Sequence, residues 1–393
     1  MISERQPIFD LVERTDPSPC RHGEPSFTFL NRVSGAYWGH PRHLMQDWAD
    51  HIGDDVEYSD LRNRLRSGQD DQFRSGFLEL YLHECLIRAG YHVTVHPDLP
   101  GTTRHPDFYA ERDGSGFYVE AISPSSSPAA KAAANRRAVL LDIVNQAESP
   151  NFFLHLVDLR EGPNPPRASR LRSQLERWLE GLNPDDIDLE RSRKWRWEDN
   201  GWAATFRVIP KSPGARANGS PGRAIGIYPA EVSRVDDVGT IQAALAEKHH
   251  AYRGLDAGFV IAVGVYIFDS DRWHSTNALY GHEAMLLTET PENDIIIDRC
   301  IREPDGYFGA GPDWRNHNVS AVLLVNQLMP WQINEAEATL WRHPAPRHPL
   351  PADHGLPWVT IEFDRMELTE KAAPITSASL LNLSEPWPPG EPW

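Results

Sequence analysis

Long apolar runs, paired cysteines and the common catalytic signatures are all missing from this chain of 393 residues. The longest apolar stretch, residues 258–268, is shorter than the roughly 18 residues that a membrane span requires. The N-terminus has no basic segment followed by an apolar one, so the sequence predicts no signal peptide. Three cysteines without metal-ligand spacing argue against a disulfide framework and favour a reducing compartment. We therefore expect a cytoplasmic protein that binds no membrane.

Catalytic motifs that are defined by spacing are absent as well. The sequence contains no Walker loop, no G-x-S-x-G nucleophile elbow and, despite 17 histidines, no H-E-x-x-H zinc pattern. The composition, with 40% hydrophobic and 24% charged residues, is that of a globular protein. The net charge of −17 counts against general binding to nucleic acid.

One segment, residues 191–223, reverses this charge balance. It contains eight Lys or Arg residues and two acids, which gives a local net charge of +6. An acidic protein with one basic patch can still hold a phosphate backbone, because counterion release acts locally; the alternative is a solvated loop. The segment's Trp195, Trp197 and Trp202 either stack on bases or form a local hydrophobic cluster. The candidate nucleic-acid-binding residues are Arg191, Arg193, Lys194, Arg196 and Lys211.

Composition and periodicity divide the chain into five segments, with one main α/β core. We expect an N-terminal irregular and helical segment, a core domain, a basic linker or loop rich in Trp, Pro and Gly, a C-terminal α/β extension and a flexible tail. In chain order these are residues 1–70, 71–182, 183–224, 225–379 and 380–393.

The core segment, residues 71–182, predicts the order α-β-β-β-α-β-α. Residues 71–89 have the apolar pattern of a buried helix, and three short strands follow. An Asp-Gly pair at 113–114 predicts a tight hairpin turn between the second and third strands. Residues 127–147 predict a second helix, after which the strand at 151–159 is expected to join the same sheet by a helical crossover.

Two acids flank the predicted hairpin turn. Asp107 opens one strand and Glu120 lies in the next, so pairing around the turn can bring their carboxylates together. Two carboxylates forced together in a partly buried sheet retain a proton or hold a cation, although a solvated hairpin face would also tolerate them. All-oxygen ligands indicate Mg²⁺ or Mn²⁺. The preceding helix offers a third carboxylate, Glu79 or alternatively Glu84, and His83 could instead pair with Glu79.

A helical Glu, then Pro-Asp, then a Glu in the following strand resemble the PD-(D/E)xK nuclease superfamily over residues 71–182. The resemblance implies an α/β fold with a restriction-endonuclease-like core, α-β-β-β-α-β, in which a mixed sheet is flanked by helices. The chain is also similar to a group of uncharacterised actinobacterial proteins. The matching residues are Phe77–Glu84, Gly90–Tyr91, His96–Pro100, Pro106–Phe108 and Phe117–Ala121.

The superfamily resemblance assigns roles to four positions of this sequence. It implies that Asp107, Glu120 and the backbone carbonyl of Ala121 hold Mg²⁺ or Mn²⁺, and that Glu79 positions water or a second ion. Such a centre hydrolyses phosphodiester bonds in DNA or RNA through metal-activated water, and we favour DNA over RNA as the partner.

The sequence departs from the superfamily pattern at Ile122, where the family has the Lys that orients the attacking water. Loss of one such electrostatic group costs about 3 kcal/mol in the transition state. Lys131 on the following helix is the candidate replacement, and Arg136 or Arg137 could supply charge alone; all three can equally be solvated helix residues. A catalytically inactive module that binds nucleic acid or a protein partner is therefore the alternative function.

Two further residues are expected to line the cleft that would contain Asp107 and Glu120. Lys248 and Tyr252 stand four residues apart, just before the buried strand at 258–268. A third interpretation of the acids, that they only form structural ion pairs with nearby Arg and His, also remains open.

Overall fold

The structure is a computed structural model that describes most of the chain. The described residues are 5–124, 128–188, 193–217, 224–227, 237–248, 251–252, 254–269, 271–289, 295–364 and 367–392. The chain forms two compact units. Unit 1 comprises Met1–Ser18, Pro25–Ser125 and Asp236–Trp393, and unit 2 comprises Pro19–Glu24 and Ser126–Val235. No helix in the described part of the chain combines the length and apolarity needed to cross a membrane.

Helices and strands alternate through both units. The helices are α1 (Ser26–Arg32), α2 (Ala36–Asp50), α3 (Asp55–Leu65), α4 (Asp70–Arg88), α5 (Pro128–Asn145), α6 (Ala168–Glu180), α7 (Pro213–Ala217), α8 (Asp237–Lys248), α9 (Trp273–Tyr280) and α10 (Ser377–Leu381). The strands are β1 (His92–Val95), β2 (Phe108–Arg112), β3 (Ser115–Ile122), β4 (Phe152–Arg160), β5 (Lys194–Asp199), β6 (Trp202–Pro210), β7 (Ile225–Ile227), β8 (Gly258–Val265), β9 (Glu283–Glu289), β10 (Ile295–Arg302), β11 (Gly309–Ala310), β12 (Asp313–Trp314), β13 (Ala321–Asn326), β14 (Glu337–Arg342), β15 (Val359–Asp364) and β16 (Glu367–Lys371).

The predicted helix and hairpin at the start of the core are confirmed. Helix α4 spans Asp70–Arg88 and buries most of its circumference, as the dense apolar pattern predicts. Strands β1, β2 and β3 form an antiparallel meander. Between β2 and β3, Asp113 and Gly114 have φ angles of 53° and 75°, the two positive values that a tight hairpin turn requires.

Unit 1 is built on an eight-stranded mixed sheet of order β1-β2-β3-β8-β13-β14-β15-β16. Strand β8 runs parallel to β3 on one side and to β13 on the other. All eight residues of β8 are buried, as expected for a central parallel strand that is covered on both faces. Helix α8 precedes β8 and connects it to the meander, so the order α4, β1–β3, α8, β8 forms a helix, a meander, a crossover helix and a parallel strand.

The two faces of β8 contact different helices. Ile261 and Val263 belong to an apolar cluster that includes residues of α8 and α9. On the other face, a Cβ at Gly264 would lie 3.2 Å from the side chain of Leu78 in α4. Helices therefore cover both sides of the sheet, and α4 and α8 lie on opposite sides of it.

The fourth strand of the core differs from the sequence prediction. Strand β4 does not follow the meander in the main sheet but belongs to a four-stranded sheet in unit 2, of order β5-β6-β4-β7. Its residues alternate between buried and more exposed positions, as in a sheet that packs on one face only. The crossover helix is accordingly α8 rather than α5, and unit 2 is inserted between β3 and α8.

The expected segment boundaries also change. The expected linker, residues 183–224, contains β5, β6 and α7, and the expected extension, residues 225–379, completes the same sheet as the meander. The expected tail at 380–393 makes contacts over its described part. Trp387 Nε1 donates to the carbonyl of Pro330 at 3.0 Å, and Trp38 Nε1 donates to that of Pro392.

Candidate functional site

Asp107 and Glu120 come together as the hairpin pattern predicts. The β2–β3 register pairs Phe108 with Val119, which places Asp107 opposite Glu120 at the end of the ladder. Residues directly opposite each other on antiparallel strands have neighbouring Cβ atoms on one face. The Oδ2 atom of Asp107 accepts a hydrogen bond from the backbone N–H of Ala121 at 2.6 Å, which fixes the carboxylate against β3.

The carboxyl group of Glu120 is buried, with only 3% of the residue exposed, and both of its oxygens have partners. Lys248 Nζ lies 2.6 Å from Oε1, and the Tyr252 hydroxyl lies 2.6 Å from Oε2. Burial and then the charge of Asp107 raise the pKa of Glu120 to about 7, although the hydrogen bonds from Lys248 and Tyr252 act in the opposite direction. Burial and the neighbouring carboxylate thus disfavour the ionised form of Glu120, and Lys248 and Tyr252 stabilise it.

The Tyr252 hydroxyl has two acceptors and one proton. Besides Glu120 Oε2 it lies 2.7 Å from the carbonyl oxygen of His105. When the hydroxyl donates to that carbonyl, the short contact with Glu120 is satisfied only if the carboxyl group is protonated and donates to the phenol oxygen. This geometry agrees with the raised pKa of Glu120.

Lys248 is the basic residue that contacts Glu120. It is the last residue of α8, and its side chain is 28% exposed. Although burial acts against the ammonium group, the hydrogen bond and charge of Glu120 raise the pKa of Lys248, so it stays protonated. Ile122 belongs to the apolar cluster that includes Ile241 and Leu245 of α8, where an ammonium group would have no partner. Of the expectation that Lys248 and Tyr252 lie near the acids, the structure shows that both contact Glu120.

Glu79 does not join the carboxylate pair as a third ligand. Its two oxygens accept a bidentate pair of hydrogen bonds from Arg64, each 2.5 Å long, and Ser75 Oγ lies 3.4 Å from one of them. Burial raises the pKa of Glu79, and the nearby charge of Asp107 adds to this while Arg64 opposes it. Glu79 therefore neutralises Arg64 on the α4 side of the sheet, whereas Glu120 lies on the α8 side. The alternative acid, Glu84, is fully buried and bonded to His51 and Arg88.

His96 is a contributor that the sequence analysis missed. It has a positive φ of 44°, its Nδ1 lies 2.7 Å from Glu57 Oε2, and its Nε2 lies 3.7 Å from Asp107 Oδ1. The contact with Asp107 and that with Glu57 raise the pKa of His96 to about 9, against the effect of burial. A cleft with an empty volume of about 360 Å³ adjoins this group and is lined by Glu57, Arg64, Glu79, His96 and Asp107 among others. In the sequence, His96 appears only among the residues that match the actinobacterial group, and that match assigns it no role.

The proposed replacements for the missing Lys belong to unit 2. Lys131, Arg136 and Arg137 lie on α5, whereas Asp107 and Glu120 lie in unit 1. Lys131 is an exposed residue of that helix. Arg137 Nε donates to Glu161 Oε1 at 2.9 Å, and Arg136 lies 3.9 Å from the same carboxylate. The two arginines therefore share an ion pair within unit 2.

The basic segment divides into exposed and buried residues. Arg193, Lys194 and Arg196 are exposed, while Arg191 lies outside the described residues. Lys211 is only 9% exposed and donates from Nζ to the carbonyl of Ser149 at 2.8 Å, so burial removes it from any exposed patch.

Trp195, Trp197 and Trp202 form part of the apolar core of unit 2 or pack against it. The hydrophobic-cluster alternative for these tryptophans is therefore the one that the structure supports.

Among the described residues, no group of three or more His, Cys, Asp or Glu side chains is arranged to hold a metal ion. Of the four expected metal ligands, only Asp107 and Glu120 lie together as expected. Glu79 is paired with Arg64, and Ala121 contributes its N–H to Asp107. Comparison of the chain with protein-family models, with curated proteins and with solved structures finds no match. The functional argument consequently depends on the geometry of Asp107, Glu120, Lys248 and Tyr252.

Proposed function

We propose that this chain is a divalent-metal-dependent nuclease of the PD-(D/E)xK type, which hydrolyses phosphodiester bonds in DNA or RNA at Asp107, Glu120 and Lys248. The observation that carries the proposal is the contact of 2.6 Å between Lys248 Nζ and Glu120 Oε1. It places an ammonium group beside a pair of opposed carboxylates. Asp107 and Glu120 are acids that the sequence resemblance implies, and Lys248 would supply the amine that the sequence lacks at Ile122.

The order of the secondary structure supports this assignment. The superfamily resemblance implies a helix, a three-stranded meander, a crossover helix and a fourth strand. Helix α4, strands β1–β3, helix α8 and strand β8 follow that order once the inserted unit 2 is set aside. The Lys that the pattern expects two residues after Glu120 would come instead from the crossover helix and reach the same carboxylate from there.

The carboxylate oxygens of the pair suit the cation that the proposal needs. Asp107 and Glu120 supply carboxylate oxygens, the ligands that Mg²⁺ and Mn²⁺ prefer, and the charge of Asp107 raises the pKa of Glu120. Two protein carboxylates with water completing the coordination are typical of a Mg²⁺ site. A cation held there would polarise the phosphate and lower the pKa of a bound water.

The protein side chains have separate tasks in this proposal. The Lys248 ammonium group offsets charge on a bound phosphate and can donate a hydrogen bond to the attacking water. Tyr252 and the Ala121 N–H hold Glu120 and Asp107 in fixed orientations, as rigid support of a reacting group requires. His96, bridged between Glu57 and Asp107, keeps positive charge on the cleft side of the pair.

The test is a cleavage assay with labelled single- and double-stranded DNA and RNA in Mn²⁺. We expect Glu120→Gln and Lys248→Met to lower the cleavage rate by about 100-fold or more, because each removes a charge that acts in the transition state. Lys371→Met is the matched control, since Lys371 is an exposed lysine of unit 1 that pairs with Glu362 on β15. Lys131→Met, measured in parallel, shows whether Lys131 or Lys248 supplies the amine.

Equal cleavage by the wild-type protein and by Glu120→Gln would contradict the proposal, because the activity would then arise elsewhere. Loss of cleavage in Lys131→Met but not in Lys248→Met would contradict the assignment of the amine.

A catalytically inactive binding module is the second candidate function. The observation that favours it is the satisfaction of both Glu120 oxygens within the protein, together with the pairing of Glu79 by Arg64. This candidate predicts that the wild-type protein binds nucleic acid but leaves every labelled substrate intact in Mn²⁺. It also predicts that Mn²⁺ does not raise the melting temperature, because a ligand of the native state must stabilise that state.

A further inference from the structure

The four-stranded sheet of unit 2 carries a row of basic side chains across three strands. Lys194 of β5 pairs with Arg207 of β6, and Arg207 pairs in turn with His155 of β4. Partners in a ladder present their side chains on the same face of a sheet, so the three residues form one row. We call the face that bears this row the open face.

The opposite face of the same sheet is the packed one. One position along, Trp195, Phe206 and Leu156 form the adjacent row. Phe206 and Leu156 belong to the apolar cluster that contains residues of α5 and α6, and Trp195 packs against it. Because strand residues alternate between faces, the basic row points away from both helices.

The open face concentrates positive charge in a strongly acidic chain. The whole chain has a net charge of −17, yet Lys194, Arg196 and Arg160 are all exposed there. Its acids are Glu198, which pairs with Arg196, and the exposed Asp158 of β4, which shares the ladder partner Thr205 with Arg196. Within the described residues, Arg207 Nε is buried without a hydrogen-bond partner. Burial, and then the charges of Arg207 and Lys194, lower the pKa of His155, so the three side chains of the row lie close enough to interact.

An aromatic side chain lies beside the basic row. Phe153 precedes His155 by two residues on β4, so it points to the open face, and it is 38% exposed. The Nζ atom of Lys211 lies 4.9 Å from the centre of its ring. An exposed ring next to a cationic row offers both a stacking surface for bases and contacts for phosphates.

We propose that the open face of unit 2 binds a single-stranded segment of nucleic acid. Charge complementarity selects a polyanion, and the aromatic ring selects one with unstacked planar groups. A duplex groove admits a helix or a two-stranded ribbon, whereas a four-stranded sheet presents a broad flat surface that suits a splayed single strand. The choice of nucleic acid as the polyanion rests on the proposed function.

The test measures binding alone. A fluorescently labelled single-stranded 12-mer is titrated with the full chain in EDTA, where no divalent ion supports cleavage, and fluorescence anisotropy is recorded over a range of salt concentrations. Lys194→Ala/Arg207→Ala should weaken binding about tenfold or more and reduce the slope of log K against log salt by about 1.4, since each lost phosphate contact removes about 0.7. Phe153→Leu should weaken binding about fivefold or more through lost stacking.

The matched control is Arg172→Ala/Arg177→Ala, which removes the same charge from α6 on the other side of the sheet. It should change the affinity less than twofold. Because Arg207 is partly buried, Lys194→Ala/Arg160→Ala provides a second variant in which both residues are exposed, and it should weaken binding about fivefold or more. Circular dichroism spectra and melting curves establish that each variant is folded.

Unchanged binding by the folded open-face variants, or an equal loss in the α6 control, would overturn the inference. Stronger binding to a duplex of the same sequence would overturn the assignment to single strands. The outcome is separate from that of the proposed function. If the open-face variants weaken binding but the wild-type protein cleaves nothing in Mn²⁺, the inference holds and the proposed nuclease function is wrong. If the protein cleaves and the open-face variants do not change cleavage, the nuclease function holds and the inference is wrong.

Discussion

Replacing Glu120 by Gln should make the folded protein less sensitive to pH between about pH 5 and pH 8. The pKa of Glu120 rises from its ordinary value of 4.5 to about 7 in the folded protein. The native state therefore holds a proton that the unfolded state releases in this range, so the wild-type free energy of unfolding falls as the pH rises. Gln cannot titrate and still offers Oε1 to Lys248, so the variant lacks this fall.

The magnitude follows from the two pKa values. At about 1.4 kcal/mol for each pH unit, ionising Glu120 in the folded protein lowers the stability by about 3 kcal/mol at pH 8, relative to a pH below both values. As the pH rises to 8, the free energy of unfolding of Glu120→Gln minus that of wild type should therefore increase by about 3 kcal/mol. For a unit of this size, that corresponds to about 6 °C in Tm.

The assay is thermal unfolding of both proteins in EDTA, at half-unit steps of pH. Glu111→Gln is the control, because Glu111 is an exposed carboxylate on the same hairpin, and its Tm difference from wild type should stay constant with pH. A constant Tm difference for Glu120→Gln would refute the reasoning, since it would mean that Asp107 and burial do not oppose the charge on Glu120.

Two further perturbations test other parts of unit 1. Arg64→Met should lower the free energy of unfolding by about 3–5 kcal/mol because it leaves the Glu79 carboxylate, 12% exposed, without its bidentate partner. Urea denaturation should show that Arg64→Met/Glu79→Leu regains most of this loss, and an equal cost for the single and double variants would contradict the account. Gly114→Ala should cost about 1 kcal/mol because residue 114 has a φ of +75°, although a Cβ there meets nothing within 4 Å. Gly53→Ala, where a Cβ also meets nothing and φ is not positive, should cost nothing, and similar losses at both positions in the same denaturation assay would show that the backbone angle is not the cause.

Local pattern was sufficient for the first part of the core. Helix α4 follows from dense apolar spacing, and the β2–β3 turn follows from Asp113-Gly114, whose positive φ angles few other residue pairs adopt readily. Once the turn is fixed, the strand register is fixed too, so the approach of Asp107 and Glu120 could be predicted from sequence. The positions of Lys248 and Tyr252 near the same cleft were also expected.

Long-range pairing was not encoded in those local patterns. Helix α5 and strand β4 follow the meander in the order that a crossover requires, so sequence order alone assigned them to the main sheet. The alternating burial of β4 and the fully buried run of β8 distinguish the two strands, because a strand covered on both faces is apolar throughout. Glu79 was misplaced for a related reason, since its partner Arg64 lies on another helix.

The insertion of unit 2 between β3 and α8 has a consequence for biosynthesis. During translation, β3 emerges from the ribosome with an unpaired edge, and the 126–235 segment of unit 2 must follow before β8 can cover that edge. Lys248 and Tyr252 emerge in the same late stretch, so a nascent or truncated chain contains the acidic pair without its amine and its phenol. The order of synthesis thus delays assembly of the complete constellation until most of the polypeptide has been made.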